Sequence, residues 1–179
     1  GQAIAEALFG DYNPGGRLAV TFPKSVGQIP FAFPFKPGSD ESSETSVYGA
    51  LYPFGHGLSY TTFQYSDLVI SPSKQGVQGN ISISCTIKNI GQREGDEVVQ
   101  LYLRDEVSSV TTYTQVLRGF ERITLKPEAS HTVHFELTPQ ELGIWDKQMN
   151  FTVEPGMFKV MIGSSSKDIR LKGEFEIAQ

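Results

Sequence analysis

From Phe63 onward, apolar and polar side chains alternate in short runs divided by turn residues. The cleanest run sets Ile81, Ile83, Cys85 and Ile87 against Ser82, Ser84, Thr86 and Lys88, and it ends at Asn89-Ile90-Gly91. A period of two is that of a strand with one buried and one solvated face. The same alternation recurs at Val99, Leu101 and Leu103, and at Val133, Phe135 and Leu137. It appears again at Phe158, Val160 and Ile162, after a Pro155-Gly156 turn that follows a short strand at Phe151–Val153. With Phe63–Ile70, Leu117–Leu125 and Ile169–Ile177 this makes about seven or eight strands, the signature of an antiparallel β-sandwich.

Ahead of this region the pattern differs. Gln2–Phe9 places Ile4, Ala5, Leu8 and Phe9 on one face of a short helix that Gly10 stops. A helix of about two turns is marginal in water and must lean on neighbours. Asn13-Pro14-Gly15-Gly16 is a strong turn signal, and Leu18, Val20 and Phe22 then alternate as in a strand. A helix, a turn and a strand belong to an α/β layer, and one such unit cannot cover its own apolar face.

Between Pro23 and Pro53 the periodicity disappears. Ile29-Pro30-Phe31-Ala32-Phe33-Pro34-Phe35 interleaves prolines with apolar residues, which predicts an extended segment draped over a surface with its phenylalanines as anchors. Ser39–Ser46 is polar and acidic, and Gly38–Glu44 predicts a mobile loop. If nothing covers Leu8, Phe9, Val20, Phe22 and Phe31–Phe35, the front segment is expected to fold back on the sandwich or to drive self-association.

Composition narrows the function. With 20 acidic against 15 basic residues, the net charge of −5 argues against nucleic acid, which needs clustered Lys and Arg. No apolar run approaches the roughly 20 residues that cross a bilayer, so no membrane partner is expected. The single cysteine, Cys85, can form neither an internal disulfide nor a multi-thiolate zinc site, and it leaves the redox compartment open. The chain starts Gly-Gln-Ala-Ile without an initiator Met or a signal core, and it is expected to be a piece of something longer.

The candidate chemistry is sparse. His131 and His134 are an odd number of residues apart on one strand, so they face opposite ways and cannot share a metal. His56, in Phe54-Gly55-His56-Gly57, reads as a packed, hydrogen-bonded turn residue. That segment fits neither a nucleophile elbow nor a dinucleotide loop. Cys85 lies on the apolar parity of its strand and reads as a buried, inert thiol. A glycosidase needs two carboxylates roughly 5–10 Å apart across a cleft. Asp40, Glu41, Glu44, Asp96, Glu97, Asp105 and Glu106 each read as solvated turn or strand-end residues. Trp145 and Tyr102, the latter on an exposed parity, could stack on sugar rings, although core or rim packing is the commoner role. Asn80-Ile81-Ser82 and Asn150-Phe151-Thr152 match the N-glycosylation sequon. No catalytic, cofactor-binding or metal-binding residue is assigned, and no cofactor is expected.

Five stretches in one order carry a resemblance: GDYNPGGRLAVTFPKSVGQIP (10–30), ALYPFGHGLSYTTFQYSDL (50–68), KNIGQREGDEVVQLYLRD (88–105), LRGFERITLKP (117–127) and VEPGMFKVMIGSSSKDIRL (153–171). They resemble the C-terminal portion of family 3 glycoside hydrolases of the β-glucosidase and β-xylosidase type. The resemblance implies a (β/α)8-like barrel and an α/β sandwich domain ahead of a fibronectin type III-like, immunoglobulin-like sandwich. Residues 1–35 would then be a C-terminal, truncated remnant of the α/β domain, 36–62 a connector loop, and 63–179 the fibronectin type III-like β-sandwich.

The family's retaining mechanism uses an Asp nucleophile from the barrel and, in most members, a Glu acid/base from the α/β domain. Both would precede Gly1, so no catalytic residue carries over and the chain is expected to be inactive alone. The partners implied are those upstream domains and, through them, β-glucoside or β-xyloside oligosaccharides, in a secreted or periplasmic parent. A free-standing carbohydrate-binding or interaction module is the alternative. The resemblance departs at Ser42–Tyr48, at Thr111-Thr112 and at Pro127-Glu128-Ala129, all loop positions, which bear on sugar preference and not on the strand framework.

Overall fold

In the computed structural model, residues 1–29, 31–39 and 49–179 are described. The front segment contains helix α1 (Gln2–Phe9), the two-residue strand β1 (Phe22–Pro23), a 3-10 turn at Val26–Gln28, and β2 (Ala50–Tyr52). Then come β3 (Phe63–Ser71), β4 (Lys74–Gly76), β5 (Ile81–Asn89), β6 (Gly95–Asp105), β7 (Val116–Leu125) and β8 (Ser130–Leu137). The chain ends with α2 (Pro139–Leu142), β9 (Ile144–Trp145), β10 (Phe151–Thr152), β11 (Gly156–Gly163) and β12 (Ile169–Ala178).

Two sheets face each other, one ordered β3-β5-β8 and the other β4-β12-β11-β6-β7. All pairings are antiparallel except β4 with β12. The alternation read from the sequence sets the register. Ile81, Ile83, Cys85 and Ile87 of β5 point inward with Val133 and Leu137 of β8, against Val99, Leu101 and Leu103 of β6 and Val160 and Ile162 of β11. Phe158 and Phe175 stack at 5.4 Å inside the same core. Burying each of these side chains contributes about 1.5–3 kcal/mol, and two sheets packed in this way need no disulfide.

Three local expectations change. The predicted strand Leu18–Phe22 is only β1, paired with β2 through Phe22 and Tyr52. A strand needs a neighbour along its whole edge, and among the described residues β2 pairs only with Phe22 and Pro23 while Leu18 bonds to the turn at Gly55 and His56, so no continuous ladder forms. Phe151–Val153 is strand only at Phe151 and Thr152, and it pairs with β9 instead of joining either large sheet. Tyr102, expected on a solvated face, is fully buried. The outer face of β6 is roofed by Phe33, whose ring meets Tyr102 edge-on at 5.7 Å, and by Phe54, stacked on Phe33 at 4.6 Å.

Helix α1 ends at Gly10 as the sequence predicts, in the left-handed conformation at φ 84°. Helix α2 was not anticipated. Its signal is the capping box in Thr138-Pro139-Gln140-Glu141, in which the Thr138 backbone N–H donates to Glu141 and the Thr138 hydroxyl accepts from the Gln140 N–H. Of the expected mobile loop, Gly38 and Ser39 form part of a turn, and residues 40–44 lie outside the described residues.

Candidate functional site

The seam between the front segment and the sandwich concentrates the buried polar chemistry. Glu97 shares the inward parity of Val99, Leu101 and Leu103 on β6 and is buried. A lone carboxylate there would cost several kcal/mol. Arg17, delivered by the turn after Asn13-Pro14-Gly15-Gly16, donates from Nη2 to Glu97 Oε2 at 2.8 Å. The Tyr65 hydroxyl, from β3, donates to the other oxygen at 2.7 Å. Burial, and after it the Glu97 carboxylate, pushes the Tyr65 hydroxyl far above its ordinary value, so it remains a donor throughout the physiological range. Glu97 was expected to be solvated. Its partner Arg17 lies 80 residues away in sequence, and only the fold brings the two together.

Further clamps run along the seam. Asn13 donates from Nδ2 to the Glu94 carbonyl at 3.0 Å and accepts from the Tyr60 backbone N–H at 2.7 Å. Arg93 donates to the Gly10 carbonyl at 2.8 Å, and the Tyr60 hydroxyl to the Ala7 carbonyl at 2.7 Å. The Phe54-Gly55-His56-Gly57 turn locks onto both sides. Leu18 N–H donates to the His56 carbonyl, and Gly55 N–H to the Leu18 carbonyl. Gln100 of β6 donates to the carbonyls of Gly55 and Ser164, at 3.2 and 2.6 Å. Gly55 sits at φ +81°, and a Cβ there would lie 2.0 Å from Gln100 Oε1, so only glycine fits.

The other face of the front segment is apolar and uncovered. Phe9 is 84% exposed, and Ile4, Leu8, Val20, Val26 and Leu58 are also exposed. An open hollow of about 500 Å³ lies among Leu18, Phe22, Tyr52, His56 and Leu58.

The individual candidates fall as follows. His56 stacks on Tyr52 at 5.1 Å and is half-buried in its turn. His131 and His134 face different neighbours across the β5–β8 ladder, Ile87 and Ser84. His131 Nε2 lies 3.7 Å from Glu121 of the opposite sheet. Cys85 is fully buried, and burial pushes its thiol up to about 11. Asp96 accepts from Arg122 and, at 2.6 Å, from Thr124. Glu106 pairs with Arg104 and Lys159, and Asp105 is half-buried. Asp40, Glu41 and Glu44 lie outside the described residues. Among the described residues no three His, Cys, Asp or Glu side chains gather as a metal site, and no helix is long and apolar enough to cross a membrane. Trp145 is exposed, and the sequon residues Asn80 and Asn150 are both at the surface.

Two packed sheets that hold, by one polar seam, a segment whose opposite face is apolar and bare define the class of this protein: a fibronectin type III-like β-sandwich with an attached front segment. Residues 97–166 match the fibronectin type III-like domain, and residues 1–60 match the glycosyl hydrolase family 3 C-terminal domain. Together the two matches liken the chain to the C-terminal portion of glycoside hydrolase family 3. It is 43% identical to the periplasmic beta-glucosidase of Salmonella typhimurium, covering 99% of this chain and 24% of that one. It is likewise 43% identical to a beta-xylosidase of Formosa agariphila, over 96% of this chain and 24% of that one. A beta-glucosidase of Listeria innocua, solved in complex with glucose, superposes with a TM-score of 0.89 at 32% identity, covering all of this chain and 26% of its own. The chain thus spans about a quarter of the length of these relatives.

Proposed function

We propose that this chain is the C-terminal, supporting part of a retaining exo-β-glycosidase of the β-glucosidase type, and that it carries none of the catalytic carboxylates. The observation that carries this reading is the two-sidedness of the front segment. Its polar side is clamped to the sandwich by hydrogen bonds at Gly10, Asn13 and Arg17, while its apolar side, from Ile4 to Phe22, faces solvent. A face of that kind is stable when another layer covers it, and the relatives' chains are about four times as long.

On this reading residues 1–35 complete an α/β domain, 36–62 connect, and 63–179 buttress. The partners are the upstream barrel and α/β domains that the family resemblance implies, and through them β-glucosides or β-xylosides. The similarity to a periplasmic beta-glucosidase of Salmonella typhimurium supports a secreted or periplasmic parent. The seam serves positioning: Glu97, already saturated by Arg17 and Tyr65, holds the segment and does no proton transfer.

The test is an assay of the purified 179-residue chain on aryl β-glucoside and aryl β-xyloside. The expected outcome is no release of the phenol above buffer. Turnover that persists through further purification and is lost on mutation of a carboxylate in this chain would overturn the proposal.

A further inference from the structure

A cavity of about 260 Å³ lies where the start of β7, helix α2 and the β9–β10 pair meet the loop at 110–113. Its floor includes the buried side chains of Leu103 and Phe158. Its rim carries two exposed aromatics, Tyr113 at 42% and Trp145 at 59%. Trp145 is held rigidly for a surface residue. It is registered against Phe151 in the β9–β10 ladder, with the rings edge-to-face at 5.5 Å. Phe151 can approach because Gly143 has no Cβ, which would lie 2.3 Å from its ring.

Three charged side chains enter the same space: Arg118, Asp105 and Glu141. Arg118 Nε is sealed from solvent and has no hydrogen-bond partner among the described residues. Burial pulls the guanidinium below its ordinary value, with the Glu141 carboxylate opposing. Asp105 accepts the Val107 backbone N–H at 3.2 Å, and Glu141 spends Oε2 on the Thr138 backbone. The guanidinium beside two carboxylates gives the cavity wall both donors and acceptors for a ligand's polar groups.

The chemistry of the lining selects among ligands. An anion would meet Arg118 but be repelled by two carboxylates. A wholly apolar ligand would desolvate the charged wall of Arg118, Asp105 and Glu141 without hydrogen-bonding to it. A neutral polyol with one apolar face and hydroxyls around its edge satisfies every group at once, since each hydroxyl both donates and accepts. The volume lies just below the usual range of about 300–1,000 Å³ for small-molecule sites, which limits the occupant to about one ring.

We propose that this cavity is a non-catalytic carbohydrate site that takes a single pyranose ring. The C–H face of the ring lies against Trp145 and Tyr113, and its hydroxyls bridge Arg118 to Asp105 and Glu141. The inference does not depend on the supporting role proposed above and would stand if that role failed.

Trp145 is the sole tryptophan in the chain, so intrinsic tryptophan fluorescence reports on this cavity directly. The 179-residue chain is titrated with methyl β-glucopyranoside and methyl β-xylopyranoside, with glycerol as the polyol control. A saturable change with a millimolar midpoint is expected for at least one ring and not for glycerol. Arg118→Met should weaken it about tenfold or more, the loss of one charged hydrogen bond. Tyr113→Ala, at an exposed position that leaves the fold intact, should weaken it about three- to tenfold. A linear response equal to that of glycerol, or saturation unaffected by Tyr113→Ala, overturns the proposal. So does a fluorescence change driven by protein concentration without sugar, which would assign the cavity to a second copy of the chain.

Discussion

Glu97 and Tyr102 stand on one strand with opposite parities, and both are buried, for different reasons. Glu97 faces the core and is neutralised by Arg17; Tyr102 faces outward and is roofed by Phe33. Replacing Arg17 by Ala leaves the carboxylate with only the Tyr65 hydroxyl, and breaking a buried pair in this way typically costs about 3–5 kcal/mol. With the Tyr65 bond retained, Arg17→Ala should lower stability in urea unfolding by about 3 kcal/mol. Arg17→Met combined with Glu97→Gln should cost less than the sum of the two single changes, a coupling of about 1–3 kcal/mol. Strict additivity would show that the pair contributes nothing. Part of this was legible, because Glu97 keeps step with Val99, Leu101 and Leu103 in the sequence. Its partner was not, because nothing local ties position 17 to position 97. The aromatic platform moved similarly: Tyr102 is covered by a segment far away in the chain, whereas Trp145 remains exposed.

At the scale of elements, the strands were the most legible part and the front segment the least. An alternation of apolar and polar residues is sufficient for β5, because its two faces see a core and a solvent that the same sandwich provides. Leu18–Phe22 carries the same alternation and forms almost no strand, since its edge is met only at its two ends, by the turn at Gly55-His56 and by the short β2. Helix α1 forms where predicted, yet none of its residues is buried, so its packing partner is a matter for the rest of the protein. That bare face should associate in the isolated chain. Sedimentation at rising concentration is expected to show reversible oligomers, reduced by Leu8→Ser together with Phe9→Ser. These positions are exposed, so the fold should survive the change. A strictly monomeric chain at all concentrations would show that the patch is too small or too curved to self-pair.

Across the whole molecule, acidic groups tie stability to pH. The Thr124 hydroxyl, against some burial and with help from Arg122, holds Asp96 below the usual carboxylate range. Lys159 does the same for Glu106, Thr138 for Glu141, and the Asn150 backbone N–H for Asp146. For each, the folded value lies below the unfolded one, so its stabilisation is complete above the unfolded value of about 4 and is lost as pH falls through the folded value. Asp105 runs the other way, because burial raises it. Its contribution favours the fold at low pH and disappears as pH rises through its folded value. The depressed groups outnumber it, so the denaturation midpoint should fall on acidification from about pH 5 toward pH 2. Asp105→Asn should stabilise the chain at neutral pH and have little effect in acid. A midpoint independent of pH across that window would contradict the assignment of these partners.

The order of apolar and polar residues was enough, by itself, to determine the sandwich, its inward-facing apolar residues, the stop of α1 at Gly10 and the inert setting of Cys85. These follow from local periodicity, which each stretch of chain carries with it. The Arg17–Glu97–Tyr65 clamp, the roof of Phe33 over Tyr102, and the cavity that gathers Arg118, Trp145 and Tyr113 were decided only by the tertiary structure. Each joins residues from separate elements, and the free energy of such a contact depends on a juxtaposition that no local pattern encodes.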